Sequence, residues 1–362
     1  YINHSGNYFS DAITIDLPEP WSENDRLSVA DIKGNGTHCL VFTKSGSTMK
    51  HYYYDFVGET VIDEKTKQVM KPYLLIEIDN NMGAATRIKY SSSTKFYLED
   101  KRSGDPWITR LSFPVQVVEK ISVIDKINKA RYTTRFRYRD GHYDRVEREF
   151  IGFGSVETWD TETYEKIGEA ISSLNEDNYV PPVHTKTWYH TGACFNDAAV
   201  MVNYKKHFFQ GDQQAYDFPD VVFDEAIYAQ DSDTLRQAWL SLNGTAIRTE
   251  IYADDRAQNP ELYQNPYTVT QSNQKVFLYQ SKGTSPYAVF LVVPRENIAY
   301  QYERNAQDPR VQQDFTLATD AFGNTIAACT VYLSRRPGNG FVNYPEQLTI
   351  KGTLLYNRYV DL

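Results

Sequence analysis

The sequence predicts a mainly β fold, on three observations: aromatic-rich composition, period-two alternation, and turn elements that separate the alternating runs. Twenty-eight Tyr, 18 Phe and 5 Trp give 14% aromatic residues in a chain of 362. That composition suits half-buried pleated surfaces and disfavours a helical bundle. Between 132 and 139, Tyr132, Thr134, Phe136 and Tyr138 alternate with Thr133, Arg135, Arg137 and Arg139, so one strand face is aromatic and the other carries guanidinium groups. Asp140-Gly141 follows, a dipeptide that tolerates the positive φ of a two-residue hairpin turn. This register sets Tyr138 opposite Tyr143 and Arg137 opposite Asp144 across one hairpin running to Trp159.

Four segments follow in order. Residues 1–70 alternate short strands with turns: Ala12–Leu17, Leu27–Ala30, Cys39–Phe42 and Lys50–Tyr54. Asp31-Ile-Lys-Gly-Asn-Gly36 between them resembles an Asp-rich calcium turn, but Lys33 puts a cation where a ligand oxygen is needed. A tight turn with Asp31 capping backbone N–H groups is expected instead. Residues 71–180 carry longer strands. Residues 181–265 are mixed, with one helix near 232–243: Leu235, Ala238, Trp239 and Leu242 form an apolar stripe, with Asp231 or Ser232 to cap its start and Gly244 its end. Residues 266–362 return to strands, Ala288–Val293 and Ala327–Leu333 among them. Between those two, Asp320-Ala-Phe-Gly-Asn324 reads as a turn, with positive φ at Gly323 and hydrogen bonds from the Asp320 and Asn324 side chains.

Charge and motif content narrow the chemistry. A net charge of −9 and a pI near 5.4 argue against phosphate-backbone binding, so no nucleic acid partner is expected. No apolar run of about 18 residues is present to cross a bilayer, so no direct membrane insertion is expected. Residues 1–30 lack signal-peptide regions, and the chain reads as a piece of a longer protein. Cys39, Cys194 and Cys329 are too few and too scattered for a disulfide framework and read as small core residues. His184, His190 and His207 lack a carboxylate or Cys at ligand spacing, so packed histidines are favoured over a metal site. Glu147 and Glu149 read as one face of an ion-paired strand beside Arg145 and Arg148, without the opposed placement of glycoside hydrolysis. Phosphate-cradling, dinucleotide and nucleophile-elbow motifs are absent, and Gly152-Phe-Gly154 is too short to count as one. No catalytic residue, cofactor or metal is expected.

Several blocks carry a resemblance. Arg139-Asp-Gly-His-Tyr-Asp144 and Glu147-Arg-Glu-Phe-Ile-Gly-Phe-Gly154 resemble the start of an Rhs or YD-repeat region. With Asp79–Arg87, Tyr90–Tyr97, Pro106–Glu119, His184–Gly192 and Pro294–Arg304, they are similar in family order to the B component of bacterial three-part insecticidal Tc toxins. The Asp-x-x-Gly-Asn element at 320–324 is typical of YD repeats. The structural motif residues of this resemblance are Asp140, Gly141, Tyr143, Asp144, Gly152, Gly154, Asp320, Gly323 and Asn324.

The resemblance implies the end of a β-propeller over 1–70, followed by irregular hairpins of long strands forming part of a hollow shell. It implies a secreted complex in which the B component joins a C component to enclose a cytotoxic domain, and docks through its propeller on a pore-forming A component. The Arg131–Arg139 row would then face either the lumen or solvent. Two other readings are a carbohydrate- or host-surface-binding β protein, and the carrier region of an ADP-ribosylating virulence protein.

Overall fold

A computed structural model describes residues 1, 3–46, 48–56, 74–128, 130–161, 181–193, 197–336 and 344–359. The segment boundaries at 70 and 180, and Cys194, lie outside the described residues. The chain divides into two compact units, Tyr1–Leu75 with Phe113–Gln116, and Ile76–Ser112 with Val117–Leu362.

In the first unit, β1 (Arg26–Ala30), β2 (Cys39–Lys44) and β3 (Lys50–Tyr54) form an antiparallel meander. Cys39, Val41 and Phe42 of the central strand are buried, and Phe42 stacks on Tyr52 at 6.1 Å. The expected strand at Ala12–Leu17 does not form: the segment joins no sheet and leaves Ile13 exposed. Asp31 caps its turn, one carboxylate oxygen accepting from the Asn35 N–H at 3.1 Å and the other from Gly36 at 2.8 Å. Lys33 pairs with Asp55 at 2.5 Å.

The second unit is organised around one sheet, thirteen-stranded among the described residues. Its strands are β4 (Glu77–Asp79), β5 (Ala84–Ser92), β6 (Gln116–Asp125), β7 (Ala130–Asp144), β8 (Glu149–Thr161), β9 (Val183–Tyr189), β10 (Val222–Phe223), β11 (Ala246–Ala253), β12 (Thr268–Gln280), β13 (Val289–Gln301), β14 (Arg310–Thr319), β15 (Thr325–Tyr332) and β16 (Lys351–Tyr356). Apart from β10, which pairs parallel to β12, they lie side by side in chain order from β4 to β16. On this path β4 and β5 run antiparallel, as do all neighbouring strands from β6 to β16. Such an array is built from local connections, each strand satisfying the backbone of the one before it.

Among the described residues, four α-helices interrupt the strands, where the sequence suggested one: α1 (Ser93–Arg102), α2 (Asp197–His207), α3 (Glu225–Tyr228) and α4 (Ser232–Leu240). α1 forms within a segment expected to carry long strands, because Ser92 caps its start, accepting from the Thr94 N–H at 3.3 Å, and Phe96 and Asp100 fall on a buried face. α4 is the expected helix. The Asp231 side chain accepts from the Thr234 N–H at 2.7 Å, and the chain leaves through Ser241 to Gly244 at φ +79°. Ala238 and Leu242 pack with Ile227, Phe223 and Val276 in one core cluster, with Leu235 and Trp239 against it. Tyr204 and Phe208 pack α2 and the residue that follows it on Trp188 and Ile247.

Candidate functional site

The Asp140-Gly141 pair sits inside a strand and makes no turn. β7 runs through it to Asp144, Tyr138 pairs with Val156 and Arg137 with Glu157, and the reversal comes at residues 145–148. The turn is built from side-chain capping: the Asp144 carboxylate accepts from the N–H groups of Val146 at 2.7 Å and Glu147 at 3.0 Å, and Arg148 takes the positive φ of +57°. An Asx-type cap of this kind needs no glycine. Tyr143 faces Phe150 and Asp144 faces Glu149, after a bulge at Ile151 beside Gly152, whose φ of +149° suits glycine.

Asp140 does adopt positive φ, +55°, but as the inner wall of a socket. Its buried carboxylate accepts from the Ile108 N–H at 2.8 Å, while Thr109 Oγ1 donates to the Gly141 carbonyl at 2.9 Å. Gly141 leaves room above it: an added Cβ would lie 3.0 Å from Phe153, 3.1 Å from Leu111 and 3.2 Å from Trp107. The pair thus docks the segment around Trp107–Leu111 on mid-strand. Gly154 is the other bare wall, where a Cβ would come within 2.0 Å of Tyr204 Oη and 3.0 Å of Asp140 Cβ. Burial pushes the Asp140 carboxyl up, opposed by the Ile108 N–H and Arg139.

Arg137 and Arg139 of the guanidinium row face protein, whereas Arg135 is exposed. Arg137 pairs with Glu99 at 3.0 Å and with Asp100, and Arg139 with Asp105 at 2.7 Å, so α1 and the loop after it cover these two arginines. Asp100 also accepts from Trp107 Nε1 at 2.7 Å. Glu147 lies in the turn and Glu149 begins β8, so they do not form one strand face. Arg236 of α4 reaches Glu147 at 2.7 Å, Asp144 at 3.0 Å and Asp233 at 2.9 Å, tying helix to turn.

A buried polar stripe crosses β11 to β14. Arg248 donates to Glu250 at 2.6 Å and to Gln271 at 2.8 Å, and Tyr252 donates to Glu250 at 2.5 Å. Gln313 donates to Glu296 at 2.7 Å. Glu250 is completely buried and the others are nearly or partly so. Buried polar groups demand partners, and the crossing segment 208–220 supplies them. The Phe209 N–H donates to Glu250 at 2.8 Å, Asn273 Nδ2 donates to the Pro219 carbonyl at 2.8 Å, and the Tyr216 N–H donates to Tyr300 Oη at 3.0 Å. Asp212 is clamped by Arg336 at 2.8 Å and Tyr302 at 3.0 Å. The stripe therefore fixes the path of an irregular segment over the sheet. Sequence reasoning missed it; the alternation of Arg248, Glu250 and Tyr252 on one strand was its visible signal.

The three histidines occupy separate surroundings. His184 bonds Glu157 at 2.7 Å and stacks on Trp159 at 4.4 Å, and burial at Glu157 is outweighed by this bond and Lys186, holding its carboxyl low. His207 lies 3.4 Å from Asp105. His190 lines a cavity of about 240 Å³ together with residues of α2, 218–223 and β12. No group of three metal-ligating side chains is gathered among the described residues, and no helix among them is long and apolar enough to cross a membrane.

The remaining motif residues build the β14–β15 turn. Asp320 accepts from the N–H groups of Phe322 at 2.9 Å and Asn324 at 2.8 Å, Asn324 Nδ2 donates to the Asp320 carboxylate at 2.9 Å, and Gly323 has φ +87°.

Residues 3–192 match the family model of the insecticide toxin TcdB middle/N-terminal region, and residues 237–359 that of its middle/C-terminal region. The crystal structure of TcdB2-TccC3-Cdc42 is similar with a TM-score of 0.78 and 28% identity, over 96% of this chain and 16% of that one. The Photorhabdus luminescens Tc holotoxin pore with mutant TccC3 is similar at 0.77 and 29%, over 95% and 15%. TcdB2-TccC3 is similar at 0.76 and 28%, over 96% and 16%. This chain spans about a sixth of the solved chains it matches. No curated protein matches it.

Proposed function

The chain belongs to the family of the insecticide toxin TcdB middle region, and from that premise we propose that it is a non-enzymatic wall segment of a toxin B component. With a C component it encloses a cytotoxic domain in a hollow β shell, and the assembly is secreted and docks on a pore-forming A component. The observation that carries this reading is the sheet itself. Among the described residues, twelve of its strands follow chain order from β4 to β16 without closing on themselves, so each end offers an edge to further strands. That geometry suits extension into a larger wall, in which every backbone group is paired within the sheet. The TcdB2-TccC3 structures support the C-component partner and the holotoxin pore supports the A component. The β1–β3 meander is assigned to the last part of a propeller. The motif residues from Asp140 to Gly154 lock a helix and a loop to the wall, and Asp320, Gly323 and Asn324 close one of its hairpins.

Co-expression of the full-length parent with its C component, followed by electron microscopy, tests this reading. A closed hollow particle with internal density is expected. A compact particle without a cavity would refute it.

A further inference from the structure

We infer that the cavity bounded by α2, residues 189–193, residues 218–223 and β12 binds one neutral aromatic ring carrying a single hydrogen-bonding group, the chemistry of a phenol or an indole. Its volume of about 240 Å³ exceeds the roughly 150 Å³ that suffices for benzene in an apolar cavity. It falls below the roughly 300 Å³ at which sites for larger ligands begin. A ring with one or two substituents fits that interval. The walls are apolar and largely aromatic, with Met201, Phe218, Phe223, Tyr228 and Trp239 lining the space, and such surfaces take up a ring by area burial and edge-to-face contact.

His190 offers an open polar group in the wall, whereas Asn273 Oδ1, which also lacks a hydrogen bond, is sealed inside the protein. His190 makes its hydrogen bonds through its backbone, the N–H to Thr245 at 3.0 Å and the carbonyl from Gly244 at 2.9 Å. Its imidazole lies 6.3 Å from the Trp239 ring, and its nitrogens have no hydrogen-bond partner among the described residues. The residue lines the cavity. Burial holds the ring neutral, with its pKa lowered to about 4, which gives the ligand one N–H and one lone pair. Two further polar groups of the wall are engaged: Gln271 Oε1 accepts from Arg248 at 2.8 Å and Ser272 Oγ donates to the Ala246 carbonyl at 2.7 Å. Lys205 and Asp220 in the lining carry opposite charges, so the lining does not select an ion.

The test is fluorine NMR of 4-fluorophenol and 4-fluoroanisole with the full-length protein that contains this chain. Saturable line broadening is expected for 4-fluorophenol, with affinity about tenfold above that of 4-fluoroanisole, as the loss of one hydrogen bond implies. His190→Phe removes that preference, and Met201→Trp, which fills the cavity, abolishes binding. N-acetyl-tyrosinamide separates two sources of the same chemistry: binding assigns the site to a tyrosine side chain of a polypeptide, and exclusion assigns it to a free phenol. Absence of saturable 4-fluorophenol binding to the wild-type protein overturns the inference. So does equal affinity for phenol and anisole, a comparison that holds even if a variant fails to fold.

Discussion

Replacing Gly154 by Ala tests whether the socket on β7 and β8 is built by close approach. The added methyl would lie 2.0 Å from Tyr204 Oη, 2.9 Å from its Cζ and 3.0 Å from Asp140 Cβ. Asp140 cannot recede easily, because its φ of +55° and its bond to the Ile108 N–H fix it. Tyr204 must therefore yield, and it is 1% exposed, packed with Trp188, Phe208 and Ile247. Overpacking of this kind costs about 1–3 kcal/mol, and a ring that cannot swing aside places the expected loss near the top, about 2–3 kcal/mol. Tyr204→Phe removes the 2.0 Å contact and leaves the 2.9 Å one. The double variant should recover about 1 kcal/mol relative to the sum of the singles. Urea unfolding followed by tryptophan fluorescence measures this, since Trp188 lies in the same cluster. A Gly154→Ala loss below about 0.5 kcal/mol, or additive variants, would refute the steric argument.

Arg236→Ala should cost about 1–3 kcal/mol by leaving Asp144 without its cation. The Asp144 carboxyl is held low, because the N–H groups of Glu147 and Val146 and Arg236 outweigh burial. Its stabilisation is therefore present above the ordinary carboxylate pKa and lost on acidification, and Arg236→Ala should flatten that acid limb in unfolding curves at pH 7 and pH 4. His190 has the depressed pKa of a buried neutral imidazole, about 4. The unfolded chain takes up this proton below about pH 6.5 and the folded one resists it, so stability falls between those values, by up to about 3 kcal/mol. His190→Phe should remove that part of the pH dependence, and an unchanged profile would contradict the assignment. Gly323→Ala should cost about 1 kcal/mol for its φ of +87° and more where Leu291 at 3.1 Å cannot give. Faster amide exchange confined to β14 and β15 is the expected readout.

The strand content was legible because alternation is a local signal, as in Tyr132–Tyr138, and so was the Asp320 turn, whose hydrogen bonds close within five residues. The Asp140-Gly141 turn was misplaced for a physical reason. Positive φ at the Asp of an Asp-Gly pair serves a docking socket as well as a hairpin, and the sequence does not distinguish them. The true turn lacks glycine and depends on Asp144 capping. α1 was hidden by its Ser-rich entry and α2 by a stripe of Val200, Tyr204 and Phe208 whose value appears only against Trp188 and Ile247. The polar stripe joins residues far apart in sequence, Asp212 and Arg336 being 124 positions apart. Pairings at that range leave no local pattern.

The central claim is that this sheet continues into a shell wall. A high-resolution electron microscopy map of the full-length protein with its C component tests it most directly. The account predicts β4 to β16 traced in chain order within the wall of a closed hollow particle, with the free edges of β4 and β16 hydrogen-bonded to further strands. A map in which those edges end in solvent, or in which no enclosed space exists, would contradict it.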